Sequence, residues 1–335
     1  MSPDNPELIK LISESVDINS QKEILFNGKI VNKISDDVYT KEPSGKMLFD
    51  ELQKIIYREF YIQPCEPLSH DLPTAAALKE NIAKLRKENT GHDYFDEGWI
   101  IENKEEGEAL IASKGNFHIQ LKPGEFLNVP SGDSSNNNRR EVRIFQPKEQ
   151  GSIHDIFYFA YGKAVTGSNE DFMVRFYFNA TFEGNMKLMH LISIFLNEFQ
   201  VPFIFKCLIH PFYYGRSDTS VLYVNKQFAN FTFHYLESIH KDLEDCLRDS
   251  LPLFVYPVQK GIGFAEQPAA ESESFGSHWA KIIAAGIMKA FENNVSKEKW
   301  TEEVLKHIQN HHGYADLSCF YKNPQSHYPY SFITS

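Results

Sequence analysis

A single lysine stands inside an otherwise apolar run, Phe203-Ile204-Phe205-Lys206-Cys207-Leu208-Ile209. Burying an unpaired ammonium is expensive, and the usual response is a lowered pKa. A lysine poised near neutrality can take a proton from carbon. The plainer alternatives are a strand-end lysine that snorkels to water, or one paired with Asp218. Upstream, Val174-Arg175-Phe176-Tyr177-Phe178-Asn179 alternates with period two. Val174, Phe176 and Phe178 therefore point one way, and Arg175, Tyr177 and Asn179 the other. An arginine there is either a solvated edge residue or a guanidinium fork for phosphate oxygens, a task lysine performs less well. Arg216 and Asp218 fall in a turn between two strands. A local salt bridge is the plain reading of the pair; the functional one makes Arg216 a second phosphate ligand that Asp218 orients. Tyr223 shares a strand face with Val221, which leaves core packing and function both open.

The remaining candidates carry less chemistry in their spacing. Gly261-Ile262-Gly263 lets backbone approach a ligand or simply makes a tight turn, and Lys260 just before it adds positive charge to any pocket there. No phosphate-loop lysine comes after it. His118 lies in a strand-like stretch, while His311-His312 has no partner at ligand spacing and reads as a solvated helix end. No HExxH or zinc pattern is present, so the sequence calls for no metal. Cys65, Cys207, Cys246 and Cys319 fall in no CxxC spacing and read as reduced thiols.

The elements that must position these residues predict an α+β chain in two parts. Residues 1–165 carry a helical segment (1–20, 47–61 and 74–89) and then a small antiparallel β region built on 99–101, 109–112, 117–121 and 142–145. Residues 131–138 form a loop tip by composition, and the first part as a whole suits recognition of a peptide or partner. Residues 166–335 alternate strands at 173–179, 203–209 and 220–225 with helices at 186–199 and 228–248, giving a mixed or antiparallel sheet packed with helices. A Pro/Gly-rich passage, 251–273, leads to helices at 277–291 and 297–310 and a Tyr/Pro/Ser-rich tail from 321.

The chain of 335 residues is 42% hydrophobic and 14% aromatic, enough to build a sizeable core. Its net charge of −11 disfavours broad capture of nucleic acid. No run approaches the length of a membrane span, and the first residues lack the basic-then-apolar layout of a secretory leader; a cytoplasmic location is expected.

Four stretches resemble a known family. They are 174–179, Val201-Pro202-Phe203-Ile204-Phe205-Lys206, Tyr214-Gly215-Arg216-Ser217-Asp218 leading into 221–224, and 261–268 continued by Ser274-Phe275-Gly276. Together they resemble the HopA family: type III secretion effectors and the related lyases of class V lanthipeptide and thioamitide biosynthesis. A second, fainter likeness is to bacterial phosphothreonine lyase effectors. In those a strand carries Lys-x-His, a helix comes next, the following strand holds the catalytic lysine, and an arginine precedes a strand with a tyrosine. The order here is Arg175-Phe176-Tyr177, a helix, Lys206, Arg216 and Tyr223. The resemblance implies a general base at Lys206, a phosphate clamp at Arg216, and a pocket wall or hydrogen-bond donor at Tyr223. Tyr177 stands where that family has its general-acid histidine, and Trp279 where the HopA family has a basic residue. The activity implied by the resemblance is that of a lyase removing phosphate from phosphoserine or phosphothreonine in a precursor peptide, leaving dehydroalanine or dehydrobutyrine. Arg175 and Arg216 would hold the phosphate, with Tyr177, His210 or His278 at the departing oxygen. A partner kinase is implied and no cofactor is. The competing expectation is a non-catalytic, effector-like module that binds a protein or peptide.

Overall fold

Strand alternation in the second half of the chain builds the layer on which everything else rests. The computed structural model describes residues 5–32, 44–63, 72–102, 110–115, 117–129, 140–164, 173–268, 273–314 and 320–333. Seven strands form one antiparallel sheet in the order β14 (Tyr256–Gln259), β15 (Ile262–Glu266), β11 (Met173–Phe178), β13 (Ser220–Asn225), β12 (Phe203–Leu208), β10 (Phe157–Tyr161) and β9 (Glu149–Gly151). On one face Phe176 and Phe264 meet Phe332 of the tail, which stacks on Phe233 of α5 (Ala229–Leu243); α4 (Phe182–Glu198) packs against β12. Phe176, Phe205 and Leu222 are wholly buried there. The α4 start is set by Thr181, whose hydroxyl accepts from the Gly184 amide at 3.1 Å.

The opposite face is covered at its β15–β11 side by α6 (Phe275–Glu292), whose Phe275 ring lies 6.3 Å from that of Tyr177. Behind α6 pack α2 (Ser44–Ile56) and α7 (Trp300–His312), with α1 (Asn5–Ser15) against α7. In α2 the buried residues Leu48, Leu52, Ile55 and Ile56 recur at helical spacing, as the sequence leads one to expect. The last turn of that helix is not α-helical: Tyr57–Tyr61 is a π-helical turn. Helix α3 (Ala75–Glu88) lies against α4. One hydrophobic core runs from Ile9 to Tyr330 through all these pieces. A separate five-stranded antiparallel sheet, in the order β6 (Phe117–Leu121), β5 (Leu110–Lys114), β4 (Tyr94–Ile101), β8 (Arg140–Gln146) and β7 (Phe126–Asn128), has its own small core around Trp99, Val142 and Leu121.

The α+β expectation holds, and the main sheet is antiparallel throughout. Three local expectations are corrected. Helix α1 stops at Ser15 because β-branched Val16 and Ile18 enter a small three-stranded sheet with β2 (Ile24–Phe26) and β3 (Lys29–Asn32). The passage 251–273 is not merely a loop, since it supplies β14 and β15. Gly263 reads as a breaker yet is required inside β15, because a Cβ there would lie 2.3 Å from Val255 Cγ1. The helix expected over 228–248 ends at Leu243 and tightens into a 3-10 turn at Glu244–Cys246. The boundary placed between 165 and 166 falls between β10 and β11, two strands of one sheet, and α1, α2 and α3 bury their apolar faces in that sheet's core. The 131–138 loop, Cys65, Cys319 and the side chains of His311 and His312 lie outside the described residues. No described helix is long and apolar enough to cross a membrane.

Candidate functional site

Register alone gathers the sequence candidates. Arg175 on β11 faces Tyr223 on β13; Tyr177 faces Val221; Val221 in turn faces Lys206 on β12, and Lys206 faces Phe159 on β10. Directly opposed residues in an antiparallel pair point to the same side. Arg175, Tyr177, Tyr223 and Lys206 therefore share one face, Arg175 and Tyr177 buried and Tyr223 and Lys206 half-buried. The turn before β13 adds Arg216 and Asp218 to the rim. Thr219 fixes that turn by donating from Oγ1 to the Phe178 carbonyl at 2.9 Å and accepting from the Ala180 amide at 2.8 Å.

Lys206 lies over the Phe157 ring, its Nζ 3.7 Å from the centroid, and has no hydrogen bond or ion pair among the described residues. Its pKa is lowered from the ordinary lysine value, first by burial and then by the Arg216 and Arg175 guanidiniums; Asp218 opposes the shift. The alternative pairing of Lys206 with Asp218 is not formed. Asp218 is instead gripped by Arg216, through Nε to Oδ1 and through Nη2 to Oδ2 at 2.8 Å. Arg216 stays charged: burial acts against its cation, but the Asp218 carboxylate outweighs it and raises the pKa.

Arg175 forms the floor. It is 5% exposed, donates from Nη2 to Gln267 Oε1, and lies 5.5 Å from the Tyr223 ring. Its Nε is buried without an acceptor among the described residues. Tyr177, also buried, interacts through its hydroxyl with Arg175 and with Tyr61, and burial holds its pKa up at about 12. Neither tyrosine beside Arg175 is charged at neutral pH, since burial pushes Tyr223 up as well. Among the described residues, two guanidiniums and an amine thus face one carboxylate. The cluster carries an excess of positive charge inside a chain whose net charge is −11. Such an imbalance in a partly desolvated recess favours an anion.

The other sequence candidates sit elsewhere. Asn179, just past β11, is buried and donates from Nδ2 to Ser250 at 2.8 Å, tying down the chain around Arg248. Lys260 is in the β14–β15 turn, its Nζ 3.5 Å from the Glu244 carbonyl. The His210 Nδ1 accepts from the Phe212 amide at 3.1 Å, which holds a 3-10 turn, and partial burial lowers its pKa. His278 is buried in the α6 layer, edge-on to Trp279; Trp279 itself is core, stacked 4.4 Å from Phe320. His118 is on β6, beside Glu102, in the other sheet. No group of three metal-ligating side chains converges among the described residues.

Sequence reading missed Tyr57, Tyr61, Phe157 and Gln267. Tyr57 and Tyr61 read as apolar positions of a helix end, and only the small residue at Gly276 hints at them: a Cβ there would lie 2.3 Å from Tyr61 Cε1.

The likeness to known proteins falls on these same elements. The family model described as the HopA1 effector protein family matches residues 149–317, from β9 into the end of the α7 region. A search of curated proteins gives no match. Two solved structures are similar at 13% identity each. One is an effector protein from Pseudomonas syringae pv. tomato strain DC3000, with a TM-score of 0.46 over 82% of this chain and 95% of that one. The other is an effector protein from Pseudomonas syringae pv. syringae strain 61, with a TM-score of 0.44 over 91% of this chain and 94% of that one. The match to the family model spans half of the sequence and includes every strand of the seven-stranded sheet, and on that ground the chain belongs to the HopA1 effector protein family.

Proposed function

We propose that the cluster eliminates phosphate from phosphoserine or phosphothreonine within a peptide. The observation that supports this most is the pairing of an amine shifted toward neutrality with an uncompensated guanidinium charge at one recess. Neutral Lys206 takes the α-proton of the phosphorylated residue. The electrons of that bond form the Cα=Cβ double bond, and the Cβ–O bond breaks with its pair leaving on the phosphate oxygen. Arg216, at the rim, contacts the phosphate; Arg175, beneath, stabilises the developing charge by its field. Tyr223 forms the wall between them. Tyr177 is covered by Phe275 and interacts with Arg175 and Tyr61, so it orients the floor arginine rather than meeting the departing oxygen. The substrate presupposes a kinase that phosphorylates the peptide, and a reducing cytoplasmic setting suits the free thiols Cys207 and Cys246.

The same recess without turnover is an anion-binding module, and the burial of Tyr177 in the place of an acid favours that second reading. One experiment separates the two. Phosphoserine and phosphothreonine peptides are incubated with the protein and followed by mass spectrometry, with a thiol added to trap dehydro residues. The lyase reading expects loss of phosphoric acid and thiol adducts, both abolished by Lys206→Ala. Phosphopeptides that bind but stay intact leave the binding module; phosphopeptides that neither bind nor react remove both.

A further inference from the structure

The segment N-terminal to the family match contributes directly to the recess. Ser217, between Arg216 and Asp218, donates to the Ile62 carbonyl twice, from its amide at 2.8 Å and from its hydroxyl at 2.6 Å. The rim turn is thereby fastened to the end of the π-helical turn Tyr57–Tyr61. Residues four apart on a helix share a face, and the Tyr57 and Tyr61 rings stack at 5.2 Å with 29° between their planes. Tyr61 is seated against Gly276 and Phe275 at the start of α6, which fixes the height of the stack over the sheet. At the top of the stack the Tyr57 hydroxyl accepts from Arg216 Nη2 at 3.4 Å. Its own proton has no acceptor among the described residues. Burial raises its pKa, so that proton is present at neutral pH. Tyr57 also lines a depression of about 520 Å³ between α2 and the start of α6, together with Asp50, Gln53, Lys54, Arg58 and Ser277.

We propose that Tyr57 is a phosphate ligand of this site, donating its hydroxyl proton to an oxygen of the same phosphoryl group that Arg216 holds, with the Ser217–Ile62 tether keeping the two together. The inference rests on the reading of the recess as a phosphomonoester site. It makes the first 63 residues part of the chemistry rather than a separate recognition module. Tyr61 is a positioning residue in this scheme. The turn that carries both rings is π-helical. Such turns are uncommon and recur at functional sites.

The test uses the full chain and two probes, inorganic phosphate and a phosphoserine peptide, titrated calorimetrically against the wild type, Tyr57→Phe and Arg216→Ala. Phenylalanine preserves the stack on Tyr61 and removes only the hydroxyl, so the melting temperature should be unchanged. A hydrogen bond to a charged group corresponds to about a tenfold change in affinity at the least. The expected result is a Tyr57→Phe dissociation constant for both probes raised about tenfold, with KM for any turnover raised in step and kcat less affected. Equal affinities for Tyr57→Phe and wild type, with Arg216→Ala impaired, overturn this inference and leave the proposed function standing. A wild type that binds neither probe overturns the proposed function, and this inference with it.

Discussion

Replacing Gly276 with alanine tests how tightly the N-terminal turn is locked to the sheet, without reference to any substrate. The new Cβ would lie 2.3, 2.4 and 2.7 Å from three atoms of the Tyr61 ring. Carbon pairs rest at about 3.5 Å or more, so the ring must retreat by roughly 1 Å. It has little room, being nearly fully buried between Phe275 and Tyr57. Overpacking of this kind costs about 1–3 kcal/mol. For a chain of this length the unfolding entropy is about 0.7 kcal/mol per degree, so the melting temperature should fall by about 1–4 °C. A shift of that size at Tyr61 carries Tyr57 with it, and phosphate affinity should drop as well. Tyr61→Ala costs more, about 3–5 kcal/mol, because it leaves a cavity. In that background Gly276→Ala no longer meets a ring and should be neutral or slightly stabilising. Four melts complete the double-mutant cycle, and the coupling should equal the full overpacking cost. A Gly276→Ala protein that melts with the wild type, or a penalty that persists in the Tyr61→Ala background, refutes the packing argument.

Three further outcomes concern individual side chains. Lys206 has its pKa below the ordinary 10.5, chiefly through burial, so between the folded value and 10.5 the unfolded chain binds the extra proton and stability rises with pH. Lys206→Met should therefore raise stability at pH 7, read as a higher melting temperature, by about 1.4 kcal/mol per unit of depression, and lose that advantage as pH nears 10.5; a pH-independent difference would count against it. Tyr177 is shifted the other way, to about 12 by burial with Arg175 opposing, so its contribution is intact below pH 10 and lost as pH rises through 12. Tyr177→Phe should show a shallower alkaline loss of stability in denaturant titrations at pH 9 and 11, and an unchanged slope would rule this out. Glu266 is buried and accepts from the Asn323 amide at 2.7 Å, the Ser326 hydroxyl at 2.6 Å and the Tyr330 hydroxyl. Glu266→Ala should cost about 3 kcal/mol and release the tail to proteolysis, whereas Glu266→Gln should cost less.

How far these features could be read beforehand depended on whether the cause was local. The period-two pattern around Arg175 and the lone charge at Lys206 are properties of six or seven consecutive residues, and the sheet reproduces both. The Arg216–Asp218 pair needed only a turn. By contrast, β15 was illegible because its small residues, Gly263 and Ala265, answer to Val255 and to the layer above rather than to strand propensity. The expected roles at Lys260, His210 and His278 came from chain proximity to the family-like stretches, a weaker ground than alternation within one strand. Tyr57 and Tyr61 were hidden for a different reason. A π turn leaves no mark in a hydrophobic pattern, and their partners, Arg216 and Gly276, are more than 150 residues away.

On the proposed function a bound phosphate would also act on Lys206, whose pKa is lowered first by burial and then by the guanidiniums of Arg216 and Arg175, with Asp218 opposing. In the empty site the guanidiniums of Arg216 and Arg175 repel an ammonium, and burial adds to the penalty. A bound phosphomonoester brings a charge of about −1.5 to −2, which outweighs the surplus left after Asp218 is subtracted. That charge favours an ammonium at Lys206, so the amine's affinity for a proton would rise. A base strengthens as its pKa climbs, provided that it enters the complex unprotonated. In the proposed elimination, Lys206 that enters neutral would be the stronger base for the phosphate beside it when the α-proton is removed. Neutral donors at the rim suit this arrangement better than a third cation would, because they bind the phosphate oxygens without cancelling the charge that strengthens the lysine.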